Sequence, residues 1–126
     1  MSKYPKQVPI TLQQRLRKAI HSSVAITAEG LALEPGILMK VFKSTFIIVQ
    51  NERFVPRSTN YIHILGLPKA STYKRAGVRT VFDAGGLFDD IGVVKIGKDF
   101  IEVQPNNDTS GRYLIPLNKV VGLFAI

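Results

Sequence analysis

Cysteine and tryptophan are absent from the 126 residues, and histidine occurs only twice. Without cysteine there is no disulfide framework, no Cys-ligated zinc and no thiol nucleophile. His21 and His63 have no partner at metal-ligand spacing, such as i and i+4 on a helix. Ser22-Ser23 beside His21 makes no nucleophile–base pair, because strand neighbours face opposite sides and no orienting acid is near. The longest apolar run, 120–126, is far below the roughly 20 residues of a membrane-spanning helix. Residues 1–9 are polar, basic and proline-containing, without the apolar stretch of a secretory signal. Asn107-Asp108-Thr109 fits a glycosylation sequon and, with no secretion signal, reads as loop chemistry. A soluble, cytoplasmic protein is expected, with no cofactor, no metal and no catalytic set.

Acidic residues are also scarce. The formal net charge is +8, and it is uneven. Up to Gly66 there are nine Lys/Arg against three Asp/Glu, and beyond it eight against six. A basic excess attracts polyanions such as nucleic acid, anionic lipid or an acidic protein, although it also serves plain solubility. Asp83 and the Asp89-Asp90 pair could do acid–base work or bind a divalent cation. Glu34 occupies the place of Asp90 in the repeat described below, which favours a shared turn. Gly85-Gly86 lacks the phosphate-loop pattern and does not open a helix after a strand.

What is present is β-rich punctuation. After a basic arm over 1–10, Thr11 and Gln14 form a capping-box pair at the start of a short helix over 11–20. Leu12, Leu16, Ala19 and Ile20 share one face of it. Val24 and Ile26 then alternate with small or polar neighbours, and short β-branched and aromatic runs follow at 37–42, 46–50, 53–56 and 61–65, separated by Glu29-Gly30, Glu34-Pro35-Gly36 and Asn51-Glu52 turns. Gly66-Leu67-Pro68 breaks the pattern as a linker.

The second half repeats this plan. Residues 18–31 align without a gap to 74–87. Lys40-Val41-Phe42-Lys43 matches Lys95-Ile96-Gly97-Lys98, and 46–50 matches 100–104. Arg53-Phe54-Val55-Pro56 matches 112–116 with one insertion, and Ile62 and Ile64 fall opposite Val121 and Leu123. Order is kept throughout and the gaps fall at turns, so an internal duplication is expected. Each copy holds a helical or turn lead-in and five short strands. Such strands twist and curl, and closure hides their edges. The expected fold is mainly β: two tandem five-stranded SH3-like barrels over 11–66 and 67–126, each with a short N-terminal helix or helical turn. The second lead-in, 71–76, holds at most one turn.

A short helix followed by five bent strands resembles the Sm-like (LSm/Hfq-type) barrel. Residues 92–103 look like the long hairpin of that fold, and 112–123 look like its closing strands. In style the chain is similar to small bacterial Sm-like proteins, some of them spore-associated. The resemblance implies rings formed by pairing edge strands between subunits, and RNA binding in many members. The chain departs from the family's RNA pocket, an aromatic-Asp pair followed by Asn. Here those places hold Phe42-Lys43 with Phe46-Ile47, and Gly97-Lys98 with Asp99-Phe100. The family's Arg/Lys-Gly-Asn type of loop is echoed only distantly by 56–60 and 116–118.

The basic residues recur in pairs: Lys18 with Lys74, Lys40 with Lys95, Lys43 with Lys98, and Arg53 with Arg112. A quasi-repeating track of this kind suits phosphates spaced along a strand. Phe42, Tyr61 and Tyr113 could stack bases beside it, although core or rim positions suit the two tyrosines better. The alternative is that recurrence records duplication and the lysines only solubilise outer faces. The apolar final strand, 120–126, has to be paired within its own barrel, with the sister barrel or with another subunit. Two functions follow: a non-enzymatic module that self-associates into a homo-oligomer through edge strands, or a protein binding single-stranded RNA or another polyanion.

Overall fold

The computed structural model describes residues 4–106 and 111–126, so the sequon at 107–109 and residues 1–3 of the arm lie outside the described residues. The capping box forms: the Gln14 N–H donates to Thr11 Oγ1 at 3.2 Å and the Thr11 N–H donates to Gln14 Oε1 at 2.8 Å. The helix it opens, α1 (Leu12–Arg17), is shorter than expected. Its end tightens into i→i+3 bonds, from Lys18 to the Arg15 carbonyl and from Ala19 to that of Leu16. His21, at φ +77°, then turns the chain, and its N–H donates to the Leu38 carbonyl at 2.7 Å.

The rest is one antiparallel sheet of eleven strands. In the first half these are β1 (Ser23–Ala28), β2 (Leu31–Ala32), β3 (Gly36–Val41), β4 (Ile47–Val49), β5 (Glu52–Phe54) and β6 (Tyr61–Leu65). In the second they are β7 (Lys74–Thr80), β8 (Ile91–Ile96), β9 (Phe100–Pro105), β10 (Gly111–Pro116) and β11 (Val120–Ala125). The order across the sheet is β11-β7-β8-β9-β10-β6-β1-β3-β4-β5, with β2 attached to β1. Within each half the order is the same: last strand, first strand, then the remaining strands in sequence. A 3₁₀ turn precedes the last strand each time, Pro56–Ser58 and Leu117–Lys119.

The central hairpins agree residue by residue. Leu38 faces Val49, Lys40 faces Ile48 and Val41 faces Ile47, with a register shift between Leu38 and Lys40. Val93 faces Val103, Lys95 faces Glu102 and Ile96 faces Ile101, with the shift between Val93 and Lys95. The Lys40–Lys95 and Lys43–Lys98 matches therefore hold in space. Two others do not. Lys18 caps α1 whereas Lys74 opens β7, so the gapless match of 18–31 to 74–87 is out of register. Arg53 faces Ile48, but Leu114, not Arg112, faces Glu102. The second lead-in forms no helical turn. Residues 71–73 are exposed, the chain passes directly into β7, and the Tyr73 ring lies over Gly92 in space a Cβ would fill.

Two cores result, and each takes residues from the other half. Leu12, Leu16, Leu38, Ile47, Ile62 and Ile64 gather Phe100 and Leu114 from the second half. Phe88, Ile91, Val93, Ile101 and Ile115 gather Tyr61 from the first. The seam is the β6·β10 ladder, pairing Leu65 with Gly111, Ile64 with Arg112, His63 with Tyr113 and Ile62 with Leu114. Gly111 is required there: its φ is +141°, and a Cβ would collide with the Ile64 carbonyl oxygen. The arm also ties the first half to the second. Residues 4–10, expected as a free arm, run along the β8–β9 turn. Val8 N–H donates to the Ile96 carbonyl at 2.8 Å and Lys98 N–H to that of Ile10 at 2.7 Å. Among the described residues no helix is long and apolar enough to cross a membrane.

Candidate functional site

The ten expected polyanion-binding residues do not form one continuous track. Lys40 on β3 and Arg53 on β5 both flank Ile48 of β4, on the open β5 edge of the sheet. They converge on Phe42: the Lys40 Nζ stands 4.7 Å and the Arg53 guanidinium 5.0 Å from its ring centroid. Arg53 also covers Phe46 at 5.8 Å. Buried Gln13 holds this turn from beneath, donating to the Phe42 and Phe46 carbonyls at 2.9 and 3.1 Å. Lys43 extends from the same turn and is exposed. Phe46, which the sequence did not single out, is exposed here.

Lys18, Lys95 and Arg112 meet elsewhere. With Arg15, Ser22 and Glu102 they line a cavity of about 260 Å³ between α1 and strands β8–β10. Glu102 lies at its base, 1% exposed. Arg15 reaches both its oxygens, at 2.6 and 3.2 Å, and Arg112 Nη1 donates to Oε2 at 2.8 Å. Burial is the largest influence on the Glu102 carboxyl and pushes its pKa up. The hydrogen bonds and charges of Arg15, then of Arg112, outweigh it and hold the pKa below the ordinary glutamate value. Arg112 also donates to the Pro68 carbonyl at 3.0 Å, while its Nε is buried without a hydrogen-bond partner. Among the described residues Lys18 and Lys95 make no ion pair. Arg15 and Glu102 were not among the expected site residues. The available signal was an acid inside a mostly apolar strand, at the place where the first repeat has Ile48.

Lys74, opposite Val93, and Lys98, in the β8–β9 turn, are exposed and belong to neither cluster. Tyr61 and Tyr113 are not stacking platforms. Their centroids lie 5.3 Å apart and each packs edge-on to Phe88, and His63 stacks on Tyr113 at 4.1 Å. These rings close the seam.

The acidic residues of the β7–β8 connection are used locally. Asp90 receives the Arg75 guanidinium at 2.8 and 2.5 Å and the Asn106 amide at 2.7 Å. Its pKa is lowered, chiefly by the Arg75 hydrogen bond. Asp83 accepts the Gly85 N–H in a turn. Among the described residues no group of three or more metal-ligating side chains occurs. Compared with known proteins, the chain matches no family model, no curated protein and no solved structure.

Proposed function

We propose that the chain is a non-enzymatic assembly module, two tandem Sm-like barrels over 11–66 and 67–126, that self-associates through its edge strands. The observation that carries this reading is the relation between the seam and the two open edges. The orders β6-β1-β3-β4-β5 and β11-β7-β8-β9-β10 each have a last-strand end and a fourth-position end. Inside the chain, the last-strand end β6 pairs with the fourth-position end β10. The ends left over are one of each kind, β11 and β5. A second copy laying its β11 on β5 repeats, head to tail, the pairing that already exists within the chain. It also satisfies the unpaired backbone groups of both edges. Such a heterologous contact closes into a ring or runs on as a filament.

The surfaces fit this role. Val121 is 66% and Ile126 59% exposed at β11. An apolar cavity of about 570 Å³, lined by Val24, Ile26, Val49 and Phe54, opens at β5. The resemblance to a family whose members often form rings agrees. Light scattering after size exclusion, over a range of concentrations and salt and with absorbance at 260 nm recorded, tests it. A defined oligomer free of nucleic acid, dissociated by Val121→Lys, is expected. A strictly monomeric particle at high concentration overturns the reading.

A second reading, binding of single-stranded RNA, is favoured by the exposed Lys40–Phe42–Phe46–Arg53 group and the net charge of +8. Cations beside partly exposed rings suit a phosphate backbone with stacked bases. This reading expects binding that weakens steeply with salt and is lost in a Lys40→Glu, Lys43→Glu, Arg53→Glu variant. Salt-independent binding, or none, refutes it.

A further inference from the structure

We propose that the cavity between α1 and strands β8–β10 is a binding site for a phosphate group, one per chain. Four cations line it, Arg15, Lys18, Lys95 and Arg112, against one carboxylate, Glu102. Glu102 is ionised at neutral pH because the two guanidiniums hold its pKa down, so the lining carries three uncompensated positive charges. Two belong to Lys18 and Lys95, which have no ion partner among the described residues. Like charges gathered in a recess cost free energy unless an anion joins them.

The hydrogen-bond inventory points the same way. A guanidinium carries more N–H donors than Arg112 uses on Glu102 and Pro68. Arg15, itself 7% exposed, is fixed by Glu102 and presents its remaining donors in a set orientation. Ser22 also lines the recess. Glu102 thus acts as the positioning residue for both guanidiniums. A tetrahedral oxyanion with several acceptor oxygens matches this arrangement of planar forks and mobile ammonium groups. At about 260 Å³ the recess is below the range of sites for drug-sized ligands, roughly 300–1,000 Å³, and suits a compact ion or a terminal phosphate.

The site has no counterpart at the matching position of the first repeat. There Glu102 is replaced by Ile48, and among the described residues no second α-helix supplies a counterpart of Arg15. It depends on the internal seam and not on assembly between copies, so it stands independently of the proposed self-association.

The test is titration of the whole chain with inorganic phosphate by calorimetry and ³¹P NMR, against chloride at equal ionic strength. Saturable binding at one phosphate per chain is expected. The Lys18→Ala, Lys95→Ala double variant breaks no ion pair within the described residues and is expected to retain its fold, checked by its urea unfolding midpoint. It is expected to bind phosphate about ten-fold or more weakly, as loss of two charge-assisted contacts implies. A titration that does not saturate, or a double variant that binds as the parent does, overturns the proposal. Competition identifies the source of the group. Displacement by a 5′-phosphorylated oligonucleotide but not by its 5′-hydroxyl counterpart assigns a nucleic-acid end. Displacement by glycerol phosphate alone assigns a small phosphomonoester. Light scattering of the same double variant is expected to show the parent's assembly state, so the failure of one proposal is distinguishable from that of the other.

Discussion

At pH 7 the Glu102→Gln substitution preserves the size of the side chain and removes its charge. Glu102 is 1% exposed and accepts three hydrogen bonds from two guanidiniums, at 2.6, 3.2 and 2.8 Å. A glutamine carbonyl can satisfy one guanidinium, but its NH₂ group then faces donors of the other. Arg15 lies 7% exposed and meets water only through the cavity it lines, whereas Arg112 keeps the Pro68 carbonyl. Removing one partner of a buried ion pair costs about 3–5 kcal/mol, and the retained Arg112 contact places this case near 3 kcal/mol. With a urea m-value of about 2 kcal/mol per molar, the unfolding midpoint falls by about 1.5 M. The cost also depends on pH. The folded pKa of Glu102 is depressed, so its contribution is complete above the unfolded-state pKa, near 4.3, and is lost as pH falls through the lower folded value. Urea titrations at pH 7 and in strong acid read both effects. The parent and the variant converge in acid if the reasoning holds. A difference below about 1 kcal/mol at pH 7, against that 3, or one that persists unchanged in acid, refutes it.

Gly111→Ala forces a side chain into a left-handed backbone position against the Ile64 carbonyl. It is expected to cost about 2–4 kcal/mol, from backbone strain plus the clash, with broken β6·β10 amide protection in hydrogen exchange. Thr11→Ala removes the side-chain acceptor for the Gln14 N–H and is expected to cost about 1 kcal/mol in urea unfolding. Leu12→Ala, at a fully buried position of the first core, is expected to cost about 2–5 kcal/mol in the same assay. It should also loosen the cavity wall that α1 supplies.

Much of the fold was legible from period and punctuation. The β3–β4 and β8–β9 hairpins show strand residues around a short turn, and both sequence and space keep Lys40 with Lys95 and Lys43 with Lys98. Thr11 and Gln14 marked the helix start because a capping box is a local device. Its end was not legible, since 18–20 tighten into i→i+3 turns that lead His21 to the Leu38 carbonyl, a contact made across the fold. The 18–31 and 74–87 match misled for a related reason. Lys, Gly and Leu recur there by composition, while the strand that forms is chosen by pairing: β7 against β11 and β8, β1 against β6 and β3. The basic candidates divided because strand order, unseen in sequence, sends Lys40 and Arg53 to the open edge and Lys95 and Arg112 to the seam.

The two repeats differ where the seam needs them to. Counterpart positions hold Ile48 on β4 and Glu102 on β9, and Glu102 is the residue that Arg15 reaches from the first half. Tyr113 occupies the place that Glu52 holds on β5, and its ring packs with Tyr61 from across the seam. Gly111 lets β10 approach Leu65 closely. A buried charge that keeps its full set of partners in one pairing and loses Arg15 in others acts against wrong pairings as well as for the right one. Pairing β6 with another chain's β5 would leave Glu102 and Arg15 without each other, so the seam is specified within the chain. The β5 edge, with Ile48 at the equivalent place and no buried acid, carries no such restriction. The two halves thus differ between an internal junction and two open edges, β11 and β5, and under the proposed self-association it is at those edges that a further copy adds.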